Sequence, residues 1–127
     1  EVLEKVKLAD RADYRVRTFS NGMQKRASIA RAILHQPDVL LLDEPETGLD
    51  RESVSILGSL LAEWINSGRS VVMTTHDLDL GMTWGTRVGV LRGGNVSFPD
   101  AEFAEIGSAS QTNSIRRAVT DALEAGR

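Results

Sequence analysis

Cysteine is absent from the 127 residues, which excludes a disulfide framework and any thiolate metal site. Histidine is scarce as well: His35 and His76 lie far apart, a spacing that argues against zinc. The chain has no surplus of positive charge. Its net charge is −3 with both signs interspersed, so no electrostatic footprint for nucleic acid or an anionic membrane exists and no nucleic-acid partner is expected. Long apolar runs are missing too. The longest, Val39 to Leu42, is far short of the roughly 20 residues that cross a bilayer, so any membrane contact is expected to go through partners. Lysine occurs only at positions 5, 7 and 25, preceded by Glu4, Val6 and Gln24. There is therefore no Gly-Lys-Ser/Thr loop to cradle phosphates. The first residue is Glu1 and no charged-then-apolar leader comes after it, so no signal peptide is expected and the chain reads as a piece of something longer.

The residues that are present alternate between two periods. Residues 1–17 read as a short amphipathic helix and a loop, with Val2, Leu3, Val6 and Leu8 apolar. Met23, Ala27, Ala30 and Leu34 then keep a helical spacing, capped by Ser20 or Asn21 and barred from continuing by Pro37. "DVLLLDEP" predicts a strand covered on both faces and ending in two carboxylates. Asp50 caps a second helix, whose stripe is Val54, Leu57, Leu60, Leu61, Trp64 and Ile65, and "NSG" stops it. "SVVMTTH" predicts another buried strand, with a brief helix from about Asp77 to Trp84. "RVGVLRGGNVSF" reads as a hairpin around Gly-Gly-Asn, and residues 99–127 as a "GSAS" break and a polar helix over 113–124. This order predicts an α/β fold, a mostly parallel sheet flanked by helices with a C-terminal hairpin. Ligands of such sheets bind at the carboxyl ends of the strands, where Asp43, Glu44 and His76 fall.

Those three residues carry the candidate chemistry. A carboxylate at the end of a dry strand suits Mg²⁺, which prefers hard oxygen ligands, and Asp43 is the candidate. Glu44 can polarise a water for attack on phosphorus. The alternative is that both merely end the strand and cap the next turn. An imidazole such as His76 can donate to a terminal phosphate oxygen, although a lone histidine beside a strand is more often structural. Ser20, Asn21 and Gly22 sit where a helix exposes unpaired N–H groups and positive potential, an anion-binding lip if they are more than an ordinary cap.

Taken in order, "FSNGMQKRASIARAILHQPDVLLLDEPETGLD" and then "VVMTTHD" resemble the ATP-binding cassette (ABC) ATPases, a likeness that covers roughly residues 1–98. The resemblance makes residues 19–24 the ABC signature, 39–44 the Walker B strand, 47–50 the D-loop and His76 the switch histidine. It implies a P-loop NTPase fold whose N-terminal half, with the Walker A loop, is not in this chain. Residues 1–35 would end the helical subdomain, 36–98 form the core and hairpin, and 99–127 a helical tail. It further implies ATP and Mg²⁺ as ligands, Asp43 at the metal, Glu44 activating water and His76 on the γ-phosphate. Ser20 and Gly22, with Asn21 and Gln24 in the same signature, would meet nucleotide held by a second ABC subunit, and Asp50 would lie at the dimer seam. Transmembrane permease subunits would be further partners, with the protein cytoplasmic and peripheral on the inner membrane face. Haem-export ATPases are the subgroup the resemblance suggests. Soluble relatives acting on DNA or ribosomes, and a non-catalytic binding module, are the alternatives. The signature departs from Leu-Ser-Gly-Gly-Gln: it reads Phe19, Ser20, Asn21, Gly22, Met23, with Gln24 one place later. Without its first half the chain is expected to be inactive alone and to expose apolar surface.

Overall fold

A computed structural model describes residues 1–98 and 109–125. The chain forms two compact units, Glu1–His76 and Asp77–Arg127.

The first unit begins with a four-residue helix, α1 (Val2–Lys5), and two single 3₁₀ turns. Helix α2 (Asn21–Ile33) comes next, with Ser20 as its cap: the Ser20 hydroxyl accepts from the Met23 N–H at 3.3 Å. The buried stripe of α2 is Gly22, Ile29, Ala30 and Ile33, not the predicted Met23, Ala27, Ala30 and Leu34, and Leu34 is exposed. Gly22 is not apolar and the half-buried Arg26 lies on the same face, so the stripe is disguised. Arg26 donates from the stripe to the carbonyls of Val6 and Lys7 at 3.2 and 3.4 Å, a polar use of a core-facing position.

Strand β1 (Val39–Asp43) pairs in parallel with β2 (Ser70–Thr74), Asp43 opposite Thr74. Helix α3 (Arg51–Asn66) connects them, capped by Asp50 and stopped at Gly68, whose φ of +85° an L side chain resists. Its Ile56, Leu57, Leu60, Leu61 and Trp64 are buried together with Ser53. Among the described residues the strands are covered on one face only, which corrects the two-faced expectation. Leu40 is 4% exposed while its neighbour Leu41 is 77% exposed, and Val39 and Val72 are exposed as well. Among the described residues this sheet has two strands, so nothing there seals those apolar side chains.

In the second unit, α4 (Leu78–Trp84) is capped by Asp77, which accepts from Leu80 N–H at 3.0 Å. The hairpin β3 (Val90–Arg92) and β4 (Asn95–Ser97) turns on Gly93 and Gly94, both at positive φ, so the turn is two residues long and Asn95 belongs to the strand. Helix α5 (Ala109–Glu124) starts earlier than the predicted 113 and takes in the last two residues of "GSAS"; residues 99–108 lie outside the described residues. Met82, Val90, Ile115 and Val119 form this unit's core, and Arg116 pairs with Asp79.

Candidate functional site

The carboxyl end of β1 and β2 gathers one set of the sequence-predicted residues. Parallel pairing in register puts Thr74 beside Asp43, and the Thr74 hydroxyl donates to Asp43 Oδ1. The same hydroxyl accepts from the Glu44 N–H at 3.1 Å, and the Thr74 carbonyl lies 3.2 Å from the Glu44 nitrogen. One threonine thus holds both carboxylate residues at the tip. Glu44 leaves the strand at φ +43°, the left-handed region, which costs a non-glycine residue about 1–2 kcal/mol. That turn aims the side chain toward β2's continuation. There His76 Nε2 donates to Glu44 Oε1 at 2.7 Å, and the Thr47 hydroxyl donates to Glu44 Oε2 at 3.3 Å. The His76 side chain is 89% exposed and that of Glu44 38%, so the pair faces open solvent with one edge supported.

Two residues of this tip carried no sequence expectation. The Lys25 ammonium donates to the carbonyls of Glu44 and Thr47 at 2.9 and 2.6 Å, reaching from α2 to the loop after β1. Glu46 receives the Thr75 hydroxyl on Oε1, joining the same loop to the residue before His76, while Glu46 Oε2 is buried without a hydrogen-bond partner. Their partners are loop carbonyls and a hydroxyl 29 residues away in sequence, and no periodicity announces such contacts.

The second set sits at the amino end of α2. Ser20 and Asn21 are exposed, and the N–H groups of Asn21 and Gly22 have no intrahelical partner by helix geometry. Gln24 turns back, its amide donating to the Phe19 carbonyl at 3.0 Å. Gly22 is buried, and a Cβ there would lie 3.1 Å from Ser53 Oγ and 3.9 Å from an Asp50 oxygen. Its missing side chain therefore has a packing reason: it lets α2 approach the first turn of α3. Asp50 caps that turn, accepting from the Ser53 N–H at 2.7 Å. The Ser53 N–H first, and the Ser53 side chain second, hold the Asp50 carboxyl below its usual 3.8; burial opposes this and the Arg26 guanidinium adds a weaker pull downward. The Ser53 hydroxyl lies near the carboxylate but makes no well-aligned hydrogen bond. The structure thus assembles Asp43, Glu44 and His76 into one cluster and Ser20, Asn21, Gly22 and Gln24 into another, with Asp50 behind the latter and Lys25 bridging between them.

As a donor set, the Asp43 carboxylate with the Thr74 hydroxyl offers hard oxygens at an exposed edge, which fits Mg²⁺, an ion that takes one or two carboxylates and completes its shell with phosphates and water. Among the described residues no group of three or more acidic, histidine or cysteine side chains forms an all-protein metal cage. No described helix is long and apolar enough to cross a membrane.

Comparison with known proteins gives these clusters a family setting. Residues 1–47 match the family described as ABC transporter. The phosphonates import ATP-binding protein PhnC of Stutzerimonas stutzeri is 42% identical over 98 residues, 76% of this chain and 35% of that protein. The Nod factor export ATP-binding protein I of Cupriavidus metallidurans is 38% identical over 79 residues, 62% of this chain and 26% of that protein. Among solved structures, the dimeric post-hydrolysis state of the ATP-binding cassette MJ0796 bound to ADP and Pi superposes with a TM-score of 0.68 at 32% identity, covering 76% of this chain and 42% of that one. The chain spans about a third of the length of the PhnC relative. The chain has the fold of part of an ABC transporter ATPase domain, and its residues 1–47 match that family's sequence pattern.

Proposed function

We propose that this chain is the catalytic part of an ATP-hydrolysing subunit that powers transport across a membrane, working as a dimer with nucleotide between two such subunits. The observation that carries the reading is the Glu44–His76 pair at 2.7 Å on the sheet tip, with the Glu44 backbone held in a left-handed turn by partners on three sides. Within the domain, residues 1–35 belong to the helical subdomain, 36–98 to the core and hairpin, and 99–127 to a tail.

Each residue's task comes from its chemistry. The Glu44 carboxylate orients an attacking water and takes its proton; such positioned bases contribute about 10²–10⁴ in rate. His76, with most of its ring exposed, can leave that carboxylate and donate to a terminal phosphate oxygen. Asp43 and Thr74 would hold Mg²⁺, which when bound neutralises charge on the phosphates. The Ser20 hydroxyl and the free N–H groups of Asn21 and Gly22 present donors and positive potential to the triphosphate bound by the partner subunit. Gln24 supports this lip from behind through the Phe19 carbonyl, and Asp50 lies at the seam. Permease subunits receive the motion, which puts the protein at the cytoplasmic face of the membrane.

The relatives named above include an importer of phosphonates and an exporter of Nod factors, so direction and cargo belong to the permease rather than to these residues. Haem export draws no support from those names. ATP turnover by the longer protein and by residues 1–127 alone, assayed side by side, tests the reading. We expect hydrolysis by the longer protein and none by residues 1–127, which contain no Gly-Lys loop. An inactive longer protein, or an active isolated chain, would contradict it.

A further inference from the structure

We infer that Lys25 is a positioning residue for Glu44, a clamp running from the helix that begins after Ser20 to the loop that carries the water-activating carboxylate. The inference rests on the proposed role of Glu44 and adds a residue to it.

Glu44 is one of three non-glycine residues at positive φ among the described residues, and its two flanking peptides are fixed by different partners. Thr74 holds the N–H side, through its carbonyl at 3.2 Å and its hydroxyl at 3.1 Å. On the carbonyl side, Glu44 O accepts from the Thr47 N–H at 3.2 Å and from Lys25 Nζ at 2.9 Å. The Thr47 N–H belongs to the same short loop and moves with it. Lys25 is the partner anchored elsewhere, one turn into α2. Because it also donates to Thr47 O at 2.6 Å, a single ammonium gathers two carbonyls that would otherwise repel each other across the loop. Charge-assisted bonds of this kind are shorter and stronger than neutral ones. Side-chain direction depends on backbone direction, so the clamp helps set where the Glu44 carboxylate points.

Steady-state ATP hydrolysis by the longer protein tests this, comparing wild type, Lys25→Met, Lys25→Arg, Glu44→Gln and the double variant Lys25→Met/Glu44→Gln. Lys25→Met keeps the length and helix preference of the side chain and removes its donors. It is expected to lower kcat about tenfold with KM for ATP within about twofold, since misplacing a reacting group falls on the chemical step. Lys25→Arg, which restores donors, is expected to return to within about threefold of wild type. In the Glu44→Gln background, Lys25→Met is expected to add less than about a twofold further loss, because the group it positions has already been disabled. Lys25→Leu, which also removes the donors, replaces Lys25→Met if that variant does not fold, and is expected to lower kcat in the same way. Wild-type kcat in Lys25→Met, a loss carried by KM alone, or a full tenfold further loss in the double variant would each overturn the inference. Normal turnover by Glu44→Gln would overturn the underlying reading instead.

Discussion

The tip of the β1–β2 pair and the open face of the same two strands make opposite use of neighbouring residues. At the tip, Asp43, Glu44, Thr47, Thr74 and His76 are tied to one another and to Lys25 by hydrogen bonds inside this one unit, although Glu46 Oε2 is left buried without a partner. On the open face, a few residues back along the strands, Val39, Leu41 and Val72 stand bare. The difference separates geometry from stability. Hydrogen bonds between adjacent loops suffice to aim a carboxylate, whereas burying a sheet face needs an element that is not among the described residues.

The largest expected effect breaks the tip. Glu44→Gln in the longer protein should lower ATP turnover by about 10²–10⁴ while leaving nucleotide binding intact, read from single-turnover hydrolysis and equilibrium ATP binding. Next comes a contrast between adjacent residues of β1. Leu40→Ala should destabilise the chain by about 2–5 kcal/mol, and Leu41→Ala by less than about 0.5 kcal/mol, measured by urea unfolding. In the longer protein Leu41→Ala should become as costly as Leu40→Ala, because the face it occupies is expected to be covered there.

A smaller effect tests the packing beside the lip. Gly22→Ala places a methyl 3.1 Å from Ser53 Oγ and should destabilise by about 1 kcal/mol. Ser53→Ala in the same chain should relieve part of that loss, which a double-mutant cycle in thermal unfolding would show. The smallest concerns acid. A carboxyl whose folded pKa is lowered stabilises the native state above its unfolded value, and the contribution disappears as pH falls through the folded value. Asp50 should therefore support α3 fully above about pH 4 and lose that support below it. Thermal melts taken down this range should show a shallower acid slope for Asp50→Asn than for wild type.

How far these features are legible in the sequence depends on whether they are periodic. The order of elements, the Asp50 cap, most of the α3 stripe and the hairpin all come from local spacing and turn chemistry. The α2 stripe is hidden because Gly22 and Arg26 occupy core-facing positions without being apolar. "VLLL" reads as a strand buried on both sides, and its composition holds no record of which element would cover each side. Asp43, Glu44 and His76 can be placed at one end of a sheet from spacing alone. Their 2.7 Å contact, the left-handed turn at Glu44 and the Lys25 clamp cannot, since these depend on strand register and on a helix returning from earlier in the chain.

The most direct measurement is a structure of the longer protein, carrying Glu44→Gln, with ATP and Mg²⁺ bound. It should show a dimer with His76 and position 44 within hydrogen-bond reach of the terminal phosphate, directly or through one water, Asp43 at the metal, and the partner subunit's Ser20 against the same nucleotide. A nucleotide enclosed by one subunit alone, or carboxylates turned away from its phosphates, would contradict the shared-site mechanism.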